Sequence, residues 1–135
     1  IALTLILILI SLPAPATANN AKRIADAAME RTKADVTYDG RYFSIPYPQG
    51  DVPSYLGVCT DVIIRAYRKL GIDLQALVHE DMRENFSAYP KRWGLKKPDR
   101  NIDHRRVPNL ETYFTRHGLL SRFHGTQTVI FPEIW

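Results

Sequence analysis

Apolar residues follow three patterns along this chain. Residues 1–12 (Ile1 to Leu12) are almost wholly apolar, with no polar residue setting a period. Further on, apolar positions recur at helical spacing in four stretches. The first covers residues 21–33, capped by Asn20, with a narrow face of Ile24, Ala27 and Ala28. The second starts at Val58 or Cys59 and ends at Leu70; Val62, Ile63, Ala66, Tyr67 and Leu70 form its inward face, and Gly71 stops it. The third, residues 74–88, is capped by Asp73, buries Leu74, Leu77, Val78, Met82 and Phe86, and halts at Pro90. The fourth, residues 110–117, is capped by Asn109. The short link between the second and third predicts a helical hairpin.

Alternation marks strands. Val36-Thr37-Tyr38 and residues 41–45 flank the turn dipeptide Asp39-Gly40, which predicts a β-hairpin with a type I′ turn over residues 36–45. Thr128-Val129-Ile130-Phe131 reads as one terminal strand before Pro132. Pro46, Pro48, Gly50 and Pro53 make a loop rich in neighbouring Tyr, which either lines a groove or packs over a small core. Residues 90–108 form a second loop, with Trp93 as its expected anchor. The pattern is α+β: about four helices and one short β-hairpin.

The leading apolar run is shorter than the roughly 20 residues an ordinary membrane span needs. It breaks at Pro13 and Pro15 and reaches Ala16-Thr17-Ala18, a small-x-small signal-peptidase site. Residues 1–18 therefore read as a signal peptide, N-terminally incomplete because initiator Met and basic n-region are missing. An uncleaved membrane anchor is the alternative. The expected protein is exported, periplasmic, with residues 19–135 as a single domain.

Charge narrows the partners little. All 18 Lys and Arg follow Ala18, against 14 Asp and Glu, for a net charge of +4. That balance suits weak attraction to anionic envelope components such as cell-wall polymer. The charges are dispersed and do not indicate nucleic acid; Arg65, Arg68 and Lys69 read as a solvated face.

The chemistry concentrates at two places. Cys59 is the single cysteine and opens the second helix. Unpaired N–H groups and the positive helix end stabilise thiolate over thiol there, which a nucleophile needs; the alternative is a small buried hydrophobe. Asp103-His104-Arg105-Arg106 can orient an imidazole, share a metal or clamp an anion; the bland reading, which we favour, is a loop braced by ion pairs and backbone hydrogen bonds. His79-Glu80 lacks the second His of a zincin motif, since position 83 is Arg. Neither a glycine-rich phosphate loop nor a multi-cysteine zinc pattern occurs, so no cofactor and no metal is expected.

Several runs together resemble the bacterial "domain of unknown function 1287" family. They are Tyr38-Asp39, Tyr47-Pro48-Gln49-Gly50-Asp51-Val52-Pro53, the stretch from Gly57 to Tyr67, Gly71-Ile72-Asp73-Leu74-Gln75, Tyr89-Pro90-Lys91-Arg92-Trp93-Gly94 and the stretch from Asn101 to Leu110. The resemblance implies exported proteins similar to NlpC-type, papain-like cysteine hydrolases, in which a nucleophile-bearing helix packs on a small barrel. By it, Cys59 matches the presumed nucleophile, while Asp61, Asp103, His104, Arg105 and Arg106 match motif positions without an assigned role. The resembled pattern continues with a Pro-Gly-Asp strand and a His-Ile-Gly-Ile-Val strand, whose His is the expected base. Gly125 to Trp135 does not resemble that continuation, so a domain truncated at its C-terminus, holding mainly the helical half, is implied.

The resulting expectation is a cysteine amidase or peptidase of the cell envelope. Cys59 is the nucleophile, with His104 as the best base left in the chain and Asp103 to hold it. Asp61, Arg105, Arg106 and Tyr55 are expected to bind a cell-wall peptide or another anionic envelope component. The rival is a non-catalytic envelope-binding or structural module.

Overall fold

The computed structural model describes the backbone of residues 16–118, 120–123 and 126–129 and the side chains of residues 19–118. Residues 1–15, His124, Ile130, Phe131 and Pro132 lie outside them, and with them most of the expected leader and the end of the expected terminal strand. The fold is α+β, with helices α1 (Ala16–Arg31), α2 (Cys59–Lys69), α3 (Leu74–Asn85) and α4 (Val107–Arg116). Two short sheets accompany them. In one, β1 (Thr37–Tyr38) runs parallel to β2 (Leu56–Gly57); in the other, β3 (Leu120–Phe123) runs antiparallel to β4 (Thr126–Val129). Among the described residues no helix is long and apolar enough to cross a membrane.

Local signals set the middle of the fold. The Asp73 carboxylate accepts from the Gln75 N–H and starts α3. Gly71, at φ +85°, takes the left-handed position after α2. The helices meet around Ile64, Tyr67, Leu74, Val78, Met82, Tyr89, Leu110, Tyr113 and Phe114. Tyr67 stacks on Phe114 with ring centroids 5.8 Å apart. A third helix stop is softer than expected: α3 ends at Asn85, and residues 86–88 continue only as a 3-10 turn.

Five expectations are corrected. The hairpin over residues 36–45 is absent. Asp39 does not open a type I′ turn; its carboxylate accepts from the Arg41 N–H and guanidinium, and Thr37–Tyr38 pairs with Leu56–Gly57 instead. The loop that follows is laced to a distant one, with Ile45 N–H donating to Asn101 Oδ1 and Tyr42 Oη to the Asp99 carboxylate.

The roll of α2 also differs. Val62 and Ile63 are exposed, and Ile64 faces the core, because Thr60 and Asp61 are turned inward by polar partners. Helix α4 begins earlier than expected, with Arg106 at its N-cap and Pro108 in its first turn. Asn109 is thus inside the helix; its Nδ2 donates to the Asp103 carbonyl. Likewise Asn20 lies within α1 and accepts from Arg23.

Arg65 and Arg68 are not a solvated face. Arg65 donates to both Asp51 oxygens and to the carbonyls of Val52, Pro53 and Leu56. Arg68 adds bonds to Asp51 and to the Gly50 carbonyl. Gln75 holds the same loop from α3, accepting from the Gly50 N–H and donating to the carbonyls of Pro46 and Arg100. Gly50 is needed there, since a Cβ would sit 1.9 Å from the Pro46 carbonyl oxygen.

Candidate functional site

β2 delivers the chain directly to α2. Val58 is extended at the N-cap (φ −122°, ψ 176°) and Cys59 is the first helical residue. Valine has no side-chain acceptor, so the entry is held from the other direction: the Asp61 carboxylate reaches back to the Val58 N–H at 2.7 Å. Gly57 leaves room for this, because a Cβ there would lie 3.3 Å from Asp61 Oδ2.

Asp61 is also the buried partner of Arg105. Arg105 Nε and Nη2 donate to the two carboxylate oxygens at 2.9 Å each, and both side chains are at most 3% exposed. Thr60 Oγ1 donates to the Arg105 carbonyl at 2.8 Å. The Cys-Thr-Asp turn and the Asp-His-Arg-Arg turn therefore form one bonded unit. Cys59 is left out of that lacework and is exposed.

The thiol opens on a cleft of about 430 Å³. Aromatic Tyr38, Tyr42 and Trp93 and the two arginines Arg105 and Arg106 line it with Cys59. Arg106 stands 4.2 Å from the Trp93 ring centroid. Trp93 is not a buried anchor, as the loop pattern suggested. It is half exposed and adopts a left-handed backbone (φ 68°, ψ 10°), uncommon for a bulky residue.

The Asp103-His104-Arg105-Arg106 stretch is a 3-10 turn at Asp103–Arg105 and the α4 N-cap, braced in the way the bland reading describes. Asp103 accepts from the Asp99 N–H and lies 3.5 Å from Arg106 Nη1. Burial pushes its carboxyl up to about 6, only partly opposed by that N–H and by Arg106. His104 is buried, and burial drives its imidazole down to about 4, so it is neutral at neutral pH. Its Nδ1 has no hydrogen-bond partner among the described residues. No hydrogen bond joins His104 to Asp103 or to Cys59 among the described residues, and His104 does not line the cleft.

The expected residues thus separate. Cys59, Arg105 and Arg106 share the cleft; Asp61 holds Arg105 and the Val58 N–H; Asp103 braces the turn. Tyr55 is exposed and outside the cleft lining, and its carbonyl accepts from the Thr37 N–H. Of the Tyr-rich loop expected to line a groove or pack over a core, Tyr42 lines the cleft; sequence reasoning missed Thr60 and gave Trp93 only as a loop anchor. A Trp followed by Gly in a Pro-punctuated loop was the available signal for a left-handed turn. Among the described residues no group of three or more His, Cys, Asp or Glu side chains converges to hold a metal ion.

Residues 25–129 match the model of a family described as "Domain of unknown function (DUF1287)". A curated relative from Escherichia coli (strain K12), described as "Uncharacterized protein YijF", is 57% identical over 100 residues. The alignment covers 74% of this chain and 49% of the relative, so the chain spans about half the length of the curated relative it matches. No solved structure matches the chain.

Proposed function

The chain belongs to the domain of unknown function 1287 family, and on that premise we propose that it carries the nucleophile-bearing part of an exported cysteine hydrolase. The substrate class is an amide of the cell envelope. The observation that carries this reading is the exposed Cys59 thiol at the first turn of α2, in a cleft that Arg105, the buried partner of Asp61, also lines.

In this reading Cys59 Sγ attacks the acyl carbon, the amine leaves with a proton, and water later releases the acid from the thioester. The N–H groups at the start of α2, ahead of the Asp61 N–H that donates to the Val58 carbonyl, in this reading meet developing negative charge on the carbonyl oxygen. The proposal gives the proton transfer to a base outside the described residues, in the role that the resembled family gives to the His of its His-Ile-Gly-Ile-Val strand. The buried, neutral His104 stays behind the turn as packing. The papain-like relationship and the periplasmic location belong to the same proposal.

One observation favours a second reading, a binding module without turnover: no imidazole lines the cleft among the described residues. The two separate in one pair of measurements. Cys59 is the chain's single thiol, so alkylation reports it alone. The hydrolase reading expects iodoacetamide at about pH 6 to label it at least about tenfold faster than free cysteine, whose pKa is about 8.5. It also expects new amino groups to be released from cell-wall peptides, and none from Cys59→Ser. Labelling at the free-cysteine rate with no release overturns it and leaves the binding module.

A further inference from the structure

The cleft beside Cys59 holds hydrogen-bonding capacity that the protein does not use. Arg105 is 6% exposed, and its Nε and Nη2 are committed to Asp61. Its Nη1 is buried without a partner among the described residues. A buried guanidinium N–H with no acceptor is rare in folded proteins and marks a place where an acceptor is missing. Arg106, lining the same cleft, meets Asp103 only at 3.5 Å, the far edge of hydrogen bonding. Both arginines are lining residues of the cleft, Arg105 with its guanidinium buried, whereas no Asp or Glu lines it among the described residues.

Geometry narrows the ligand further. A guanidinium presents its donors in a plane that matches a carboxylate. The walls are aromatic, and Trp93 is held against Arg106 in a backbone conformation that bulky residues seldom adopt. A planar acid attached to a short peptide fills such a space. A phosphate group would satisfy the charge but offers a thiol no acyl carbon.

We propose that the cleft binds a carboxylate-bearing peptide, with Arg105 Nη1 and the Arg106 guanidinium holding the carboxylate and the Trp93 ring covering the adjacent backbone. The inference deepens the hydrolase reading and rests on it for the position of the scissile amide. The carboxylate is either a chain terminus or an acidic side chain, and the test distinguishes them.

Cys59→Ser protein is titrated by calorimetry with three probes: N-acetyl-Ala-Ala with a free C-terminus, N-acetyl-Ala-Glu-amide and N-acetyl-Ala-Gln-amide. One or both acids bind about tenfold or more tighter than the Gln peptide, the scale of a charge-assisted hydrogen bond. The tighter acid identifies the source. Arg106→Gln, which leaves the Asp61–Arg105 pair intact, removes most of that preference. Equal binding of the three, binding of none, or a preference that survives Arg106→Gln overturns the proposal. Preference without amide cleavage by the Cys59 protein counts against the hydrolase reading alone. Cleavage without preference counts against this inference alone.

Discussion

Arg105 and Asp61 form a two-pronged ion pair, 2.9 Å on each prong and nearly sealed from solvent, although they lie 44 positions apart in the chain. The pair joins the α2 entry to the turn before α4. Asp61 additionally accepts from the Val58 N–H, so one carboxylate fixes both the helix start and the long-range contact. Cys59 stands two residues away on that fixed turn.

Breaking the pair from one side leaves a buried charge alone. Asp61→Ala therefore loses about 3–5 kcal/mol of unfolding free energy. Asp61→Ala with Arg105→Met recovers a large part of the loss, because no isolated charge remains. Urea unfolding of the two variants checks this. A loss under about 1 kcal/mol for Asp61→Ala, the range of an exposed pair, would show that the turn does not depend on it.

The glycines give a sharper steric contrast. At Gly50 an added Cβ meets the Pro46 carbonyl oxygen at 1.9 Å, and both sides of that contact are backbone. At Gly40 the nearest atom is Tyr38 Cε1 at 4.0 Å. Gly50→Ala is expected to cost about 2 kcal/mol or more, by forcing the loop off Gln75. Gly40→Ala should be neutral or stabilising by up to about 1 kcal/mol through the unfolded chain. Thermal unfolding of both variants tests the pair, and equal melting temperatures would contradict it.

Helix content near the site was legible because its signals are local. Asp73 as a cap, Gly71 as a stop and the apolar spacing of residues 74–82 each act within one or two turns. So was the placement of Cys59 at a helix start. The β pairing was not, because Asp39-Gly40 carries the letters of a hairpin turn while the true partner of Thr37–Tyr38 lies beyond an intervening loop. Nor was the roll of α2. Hydropathy turns Val62 and Ile63 inward, but Thr60 and Asp61 find buried partners on Arg105 and take the inner face. No spacing rule couples residues so far apart in sequence. Asp103 beside His104 suggested a dyad, yet adjacent side chains point apart, and Asp103 turns to the Asp99 N–H.

Asp103 and His104 should oppose each other in the pH dependence of stability. Burial raises the Asp103 pKa to about 6 in the folded protein, above its unfolded value near 3.9. Its contribution is present below that unfolded value and is lost as pH rises through about 6. Burial lowers His104 from near 6.5 to about 4, so its contribution is present above 6.5 and is lost as pH falls toward 4. Between about pH 4 and 6 the two slopes cancel. Asp103→Asn keeps an acceptor for the Asp99 N–H and exposes the His104 slope. Its stability relative to wild type should therefore climb with pH across that window, by up to about 1.4 kcal/mol per pH unit. Urea unfolding at half-unit intervals reads this directly, and a flat difference would remove the assigned Asp103 shift.

Arg65 is the other residue on which the Cys59 approach depends. Its guanidinium donates to Asp51 and to the carbonyls of Val52, Pro53 and Leu56, so it spans the loop that feeds β2. A lysine carries the charge but has no planar fork to reach several acceptors in fixed directions. Arg65→Lys should therefore resemble Arg65→Ala more than wild type, with a loss of about 2–4 kcal/mol set by the stranded carbonyls, while Arg68 keeps its bond to Asp51. The local signature is hydrogen exchange: the Thr37 and Asp39 N–H groups, which donate to the Tyr55 and Gly57 carbonyls, should lose protection before the α3 core does. Uniform loss across both regions would mean that Arg65 holds the whole fold and not this loop. Unchanged protection in Arg65→Lys would mean that charge alone suffices there.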